Sequence, residues 1–166
     1  AQAGATAPAP LAGMLVQTTA EALAALMMIN SFSRGHQVIF SNWPFVVDLR
    51  TGSFTGSGGE ISVLNAGAAQ IANYLGLVGG VATSMADAKA VDAQMAAEKT
   101  LSATAAGLAG ANLVYESAGM MASLLGVSFE AMLLDDEMIA NIQRAIRGFE
   151  VTEETLGYDA IVKHVM

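Results

Sequence analysis

Three short runs in this chain are apolar almost throughout: QVIFS at 37–41, LVGGVAT at 77–83 and NLVY at 112–115. A strand that is apolar at every position, rather than at alternate ones, is what a parallel sheet covered on both faces requires. Helix-length patterns separate the runs. Strand, helix, strand, helix is the order of parallel βα units, and the expected class is α/β. Such units build either a small doubly wound sheet or part of a (β/α)8 barrel, and periodicity alone does not choose between them.

The helices are delimited by their own signals. One is expected from about Pro10 to Ser33, with Leu11, Leu15, Ala22, Ala25 and Ile29 on one face and Gly35 as the stop. The stretch NWPFVVDLRTGSFTGSGG reads as a long loop. Ser57 and Glu60 have the spacing of a capping box, which starts a helix running to about Leu75. Further helices are expected over Asp92–Ala111, from Ser128 to Arg147 before Gly148, and after Thr152. Residue 1 opens directly into AQAGATAPAP and residue 166 closes inside AIVKHVM, so the chain is expected to be a piece of a longer polypeptide.

Charge narrows the functions. Charged residues make up 13% of the chain against about 25% in an ordinary soluble domain, so much of the surface expects to be covered. The net charge is −8 with no basic run, which argues against nucleic acid and suits a cationic ligand. Absence of cysteine excludes disulfides and thiolate metal sites, and fits a cytoplasmic location. His36 and His164 have no acidic neighbours at ligand spacing, so no metal site is expected. The uncharged run Ile61–Ala86 is long enough to span a membrane, yet Asn65, Gln70, Asn73 and the Gly79-Gly80 pair argue against it. No membrane association is expected.

In both candidate folds, ligands bind where strands end and the next loops begin. Three clusters lie there. Trp43 and Phe45, with Asp48 and Arg50 beyond, read either as a hydrophobic plug above a loop ion pair or as an aromatic wall for an alkylated ammonium ion. Asp87, Lys89 and Asp92, with Gln94 following, read either as a lysine neutralising two carboxylates while Asp92 caps a helix, or as a polar rim for substrate or partner. Tyr115 and Glu116 end the third run. Glu116 is expected to be partly buried and paired, with Arg50, with Lys89 or with a cationic substrate. Met85 reads first as a gap filler.

The segments AGATAP, FSNWPFVVDLRTGSFTG, MADAKAVDAQ, AGLAGANLVYESAGMMASLLG, LLDDEM and IRGFEVTEETL, in that order, resemble the trimethylamine methyltransferase family over nearly the whole chain. Members are several times longer, and the resemblance maps residues 1–166 to the carboxyl-terminal part of their catalytic region. It implies a partial (β/α)8 barrel and methyl transfer from a methylated amine to the cobalt of a separate corrinoid protein docked over the barrel mouth. No cofactor is then bound directly. Met85 stands where the trimethylamine enzymes carry pyrrolysine, just before A-D-A-K, and Ala90-Val91 departs from a proline usual before the aspartate.

Methionine cannot form the covalent adduct that an imine permits. Pyrrolysine-lacking relatives include enzymes for quaternary amines, so the resemblance implies a glycine betaine-like substrate rather than trimethylamine. Trp43 and Phe45 are then cage walls, Tyr115 and Glu116 contacts to the cation, and Asp87, Lys89 and Asp92 the rim. Two other classes stay open: a binding module that holds the amine without turnover, and a structural α/β piece with no ligand. Half a barrel leaves open sheet edges, so a homo-oligomer is expected.

Overall fold

The computed structural model describes residues 1–165. In chain order the elements are β1 (Gln2–Ala3), α1 (Leu11–Phe32), β2 (Phe40–Ser41), β3 (Phe45–Val47), β4 (Phe54–Thr55), α2 (Gly59–Tyr74) and β5 (Gly79–Ala82). They continue with α3 (Ala93–Leu108), β6 (Leu113–Tyr115), β7 (Met120–Met121), β8 (Gly126–Val127), α4 (Phe129–Arg147), α5 (Glu153–Leu156) and α6 (Tyr158–Val165).

The three apolar runs form one parallel sheet in chain order, β2-β5-β6. Ser41 lies beside Gly80, and Ala82 beside Tyr115. The strands are shorter than the runs: residues 37–39 and 77–78 lie outside them, although the Val78 carbonyl accepts from the Phe40 N–H at 2.8 Å. Only the middle strand is buried at all four positions. Leu113 of β6 is exposed, so coverage of both faces holds for β5 and fails at this edge.

Gly79 and Gly80 do not break β5; they begin it. A Cβ on Gly79 would stand 2.6 Å from the Cβ of Ala72, so hydrogen there lets α2 lie against the strand. Small residues continue the principle. Ala68 and Ala69 of α2, Val81 of β5 and Ala106 of α3 form one buried cluster, and α2 packs on both β5 and α3. A second cluster joins Ala3, Met14 of α1 and Leu64 of α2. Burial of a Leu such as Leu64 stabilises by about 1.5–3 kcal/mol.

α1 buries Met14 and Thr18 along its inner face. Leu11, Leu15, Ala22 and Ile29 are partly covered, and Ala25 is exposed. Among the described residues α1 is the one helix long and apolar enough to cross a membrane. The run Ile61–Ala86 is instead divided between a helix and a strand.

Two further expectations are corrected. The stretch 42–59 is not simply loop: β3 pairs parallel with β1 and antiparallel with β4, because PFVV and SFT can bury apolar side chains once folded back on each other. The capping box at Ser57 does not form. Gly58 is the N-cap of α2, without a side-chain bond, and the Ser57 hydroxyl is drawn to Asp87 instead.

The other caps follow the sequence. Asp92 accepts from the Met95 N–H at the head of α3, and Ser128 from Ala131 at the head of α4. Gly148 ends α4, and Thr152 with Thr155 closes a capping box on α5. α3 ends at Leu108, three residues before its expected end.

Candidate functional site

The parallel register puts the carboxyl ends of β2, β5 and β6 at one end of the sheet. The residues that immediately follow these strands are Asn42, Thr83 and Glu116. Each carries a buried side-chain oxygen without a hydrogen-bond partner among the described residues: Asn42 Oδ1, Thr83 Oγ1 and Glu116 Oε2. Buried polar atoms are ordinarily paired, so three unmet oxygens at three adjoining strand ends make this the candidate site; the other two such oxygens among the described residues belong to Asn65 and Asp135.

Among the described residues, two of the five non-glycine residues with positive φ lie at the same end, and the other three, Ala122, Ser123 and Leu124, form the turn between β7 and β8. Ser84 has φ 65° and Glu116 φ 62°, the left-handed region that side chains other than glycine seldom enter. Each such residue costs about 1–3 kcal/mol unless its surroundings hold it.

Aromatic rings wall the site. The Trp43 ring lies 5.2 Å from that of Tyr115 and 6.4 Å, edge-on, from that of Phe45. Phe45 in turn lies 4.8 Å from Phe54. Around Gly56 the row reaches Met85: a Cβ there would be 3.5 Å from the Phe54 ring, 3.6 Å from Asp87 Oδ1 and 3.7 Å from Met85 Cβ. Trp43, Phe45 and Tyr115 therefore form one ring cluster, and Gly56 lies between its Phe54 end and Met85. Met85 is fully buried, as a gap filler would be, while Trp43 remains 36% exposed.

Tyr115 is fixed by its neighbours. Its hydroxyl meets that of Ser41 at 2.9 Å, and its ring covers Gly80, where a Cβ would come within 2.6 Å of the ring. Neither partner was legible in the sequence, although a glycine inside an apolar strand is the usual sign of a close approach.

The charged residues separate. Asp87 joins three segments: Oδ1 accepts from the Gly56 N–H at 2.8 Å and the Ser123 hydroxyl at 2.7 Å, and Oδ2 from the Ser57 hydroxyl at 3.0 Å. Lys89 does not neutralise it. Lys89 is exposed, with no ion pair among the described residues, because the carboxylate beside it is already satisfied by neutral donors. Gln94 is exposed and donates to Glu98.

Asp48 and Arg50 form the expected loop pair, at 3.6 Å. The Arg50 backbone N–H, followed by the Thr51 hydroxyl, holds the Asp48 carboxyl below its ordinary value. Arg50 points into solvent, so Glu116 is paired with neither Arg50 nor Lys89. The expected protein partner does not exist among the described residues.

An ion pair that the sequence reading missed lies nearby. Lys99 of α3 and Asp135 of α4 meet at 2.7 Å with both side chains wholly buried. The signal was a lysine on an otherwise apolar, alanine-rich helix face. Among the described residues no three His, Asp or Glu side chains are grouped to hold a metal.

The largest cavity, about 690 Å³, is an apolar groove between α3 and α4 and contains none of the strand-end residues. A smaller one of about 210 Å³ lies beside Trp43 and is lined by Asn42, Ser41, Thr18 and Glu21. The second brings together Asn42 with its unmet oxygen, the acid Glu21 and the Trp43 ring, and is lined by neither Tyr115 nor Glu116.

The family model described as Trimethylamine methyltransferase (MTTB) matches residues 1–166. The chain is 38% identical over 160 residues to a trimethylamine methyltransferase of Desulfitobacterium hafniense (strain DSM 10664 / DCB-2), covering 95% of this chain and 32% of that protein. It is 34% identical over 163 residues to the trimethylamine methyltransferase of Methanosarcina thermophila, covering 98% and 34%. A glycine betaine methyltransferase of Desulfitobacterium hafniense (strain Y51) is 32% identical over 161 residues, covering 97% and 34%. The chain thus spans about a third of the length of these relatives. Matched from end to end, it belongs to the trimethylamine methyltransferase (MTTB) family.

Proposed function

We propose that this chain forms part of a methyltransferase that orients a quaternary methylated amine, glycine betaine-like, for methyl transfer to a corrinoid carried by a separate protein. The observation that carries the reading is the Trp43–Tyr115 ring pair at the carboxyl end of the parallel sheet, with the unpartnered carboxylate oxygen of Glu116 on the next residue of the chain. The relatives' names supply the reaction class, and β2-β5-β6, parallel and in chain order, suits three successive strands of a (β/α)8 barrel.

The chemistry follows from charge. A quaternary ammonium makes no hydrogen bond through nitrogen, so a protein holds it with ring faces and a diffuse negative charge. A desolvated cation over an indole face gains about 2 kcal/mol or more. Displacement at the methyl carbon breaks its bond to nitrogen, and the bonding pair stays on nitrogen. The leaving amine is neutral, so no proton is needed. The reduced corrinoid supplies the nucleophilic pair as the methyl acceptor.

Positive charge on nitrogen falls as the bond breaks. Tight binding of the cation alone would therefore stabilise the ground state more than the transition state. The role assigned to Trp43, Phe45 and Tyr115 is orientation, with Glu116 selecting for charge. Met85 offers bulk without an imine, which suits a substrate already charged. Lys89 is exposed just beyond the strand ends, which supports a role in the rim that faces the partner.

The test uses the full-length protein with a reduced corrinoid protein, and measures the demethylated amine formed from glycine betaine and from trimethylamine. Dimethylglycine from the first and little product from the second is the expected result. Product from trimethylamine alone overturns the substrate, and betaine binding without product overturns the catalytic reading in favour of a binding module.

A further inference from the structure

Three residues on one side of α3 hold the two strained loops at the strand ends through backbone N–H groups. The Glu98 carboxylate accepts from Asp87 at 2.8 Å and from Ala88 at 3.2 Å. The Ser102 hydroxyl accepts from Ser84 at 3.1 Å. Lys99 acts through Asp135, whose Oδ2 takes both the Lys99 ammonium at 2.7 Å and the Gly119 N–H at 2.6 Å.

The last of these is the costly one. Both charges are wholly buried and Asp135 Oδ1 has no partner, whereas apolar replacements for buried pairs are often neutral or stabilising. Stability alone is a poor reason for the pair. Gly119 lies three residues after Glu116, and the intervening turn is otherwise held by the Ser117 hydroxyl on the Val114 carbonyl and by Ser84 on the Ser117 carbonyl at 3.4 Å.

We infer that Lys99 and Asp135 are positioning residues, which pin the Gly119 amide and so keep Glu116 in its left-handed conformation. The pair touches no substrate atom. Its effect on the ligand rests on the proposed amine site, whereas its effect on the loop does not.

The experiment compares two double variants of the full-length protein. Lys99→Met with Asp135→Leu removes the charges and the acceptor for Gly119. Lys99→Met with Asp135→Asn removes the charges but leaves an amide oxygen for Gly119. Tetramethylammonium affinity, read by Trp43 fluorescence, and hydrogen exchange of amides 117–121 are measured on both, with thermal midpoints as the control.

The first variant is expected to weaken tetramethylammonium about tenfold and to speed exchange of those amides by a similar factor. The second is expected to stay close to wild type in both. Equal behaviour of the two, or changes that merely follow the thermal midpoint, overturns the inference. If wild type binds no tetramethylammonium, the amine site fails and the exchange comparison still decides the role of the pair.

Discussion

The hydroxyls of Ser41 and Tyr115 meet at 2.9 Å across the glycine of β5, which ties the two outer strands of the parallel sheet together over the middle one. The contact exists because Gly80 has no side chain. It places the Tyr115 ring against Trp43, and so sets the wall of the site.

Gly80→Ala would put a methyl group 2.6 Å from the Tyr115 ring and 2.9 Å from Ser41 Oγ. Overpacking of this kind destabilises by about 1–3 kcal/mol. Urea unfolding is expected to show that loss, and Tyr115→Ala in the same background is expected to recover part of it. Additive losses in the double variant would mean that the methyl group is accommodated elsewhere.

Trp43→Ala is expected to weaken tetramethylammonium about thirtyfold, the affinity equivalent of a desolvated cation on an indole face. Trp43→Phe keeps a ring and is expected to lose less. Titration calorimetry distinguishes them, and equal affinity for all three proteins would remove Trp43 from the site.

Glu116→Gln deletes a charge whose buried oxygen has no partner in the protein. Removing an unpaired charge from a partly buried position is worth about 1 kcal/mol or more, since the neutral amide is cheaper to leave unpaired, so the variant is expected to unfold at higher denaturant while binding the cation more weakly. A loss of stability instead would show that the carboxylate is paired in the folded protein.

Asp87→Ala removes the acceptor for Gly56, Ser57 and Ser123 together. Hydrogen bonds to a charged group contribute about 1.5–3 kcal/mol each and are not additive within one cluster, so a loss of about 3 kcal/mol is expected. Asp87→Asn keeps part of the acceptor set and is expected to cost less. Thermal unfolding separates the two, and a small effect from alanine would mean that the three segments hold their positions without it.

Much of this architecture was legible before any coordinates. Runs such as LVGGVAT mark the buried strand, although Val78 within it is exposed, and Asp92, Ser128 and Thr152 cap helices through bonds three residues away, so local chemistry suffices. PFVV and SFT failed that test: each is too short to declare itself, and they become β3 and β4 only because β1, some forty residues earlier, supplies an edge. Ser57 failed for a related reason. Its spacing to Glu60 promised a cap, but Gly58 takes the N-cap position and the Ser57 hydroxyl donates to a carboxylate 30 residues on.

The site divides along the same line. Sequence alone determined that aromatic and acidic residues follow the ends of parallel strands, because parallel connections bring those loops to one end whatever their composition. Only the tertiary structure decided which acids are occupied. Asp87 and Glu116 look alike in the sequence, yet one receives three neutral donors and the other leaves a buried oxygen unmet. That difference depends on groups tens of residues away, and a carboxylate's availability is fixed by what folding brings within about 3 Å of it.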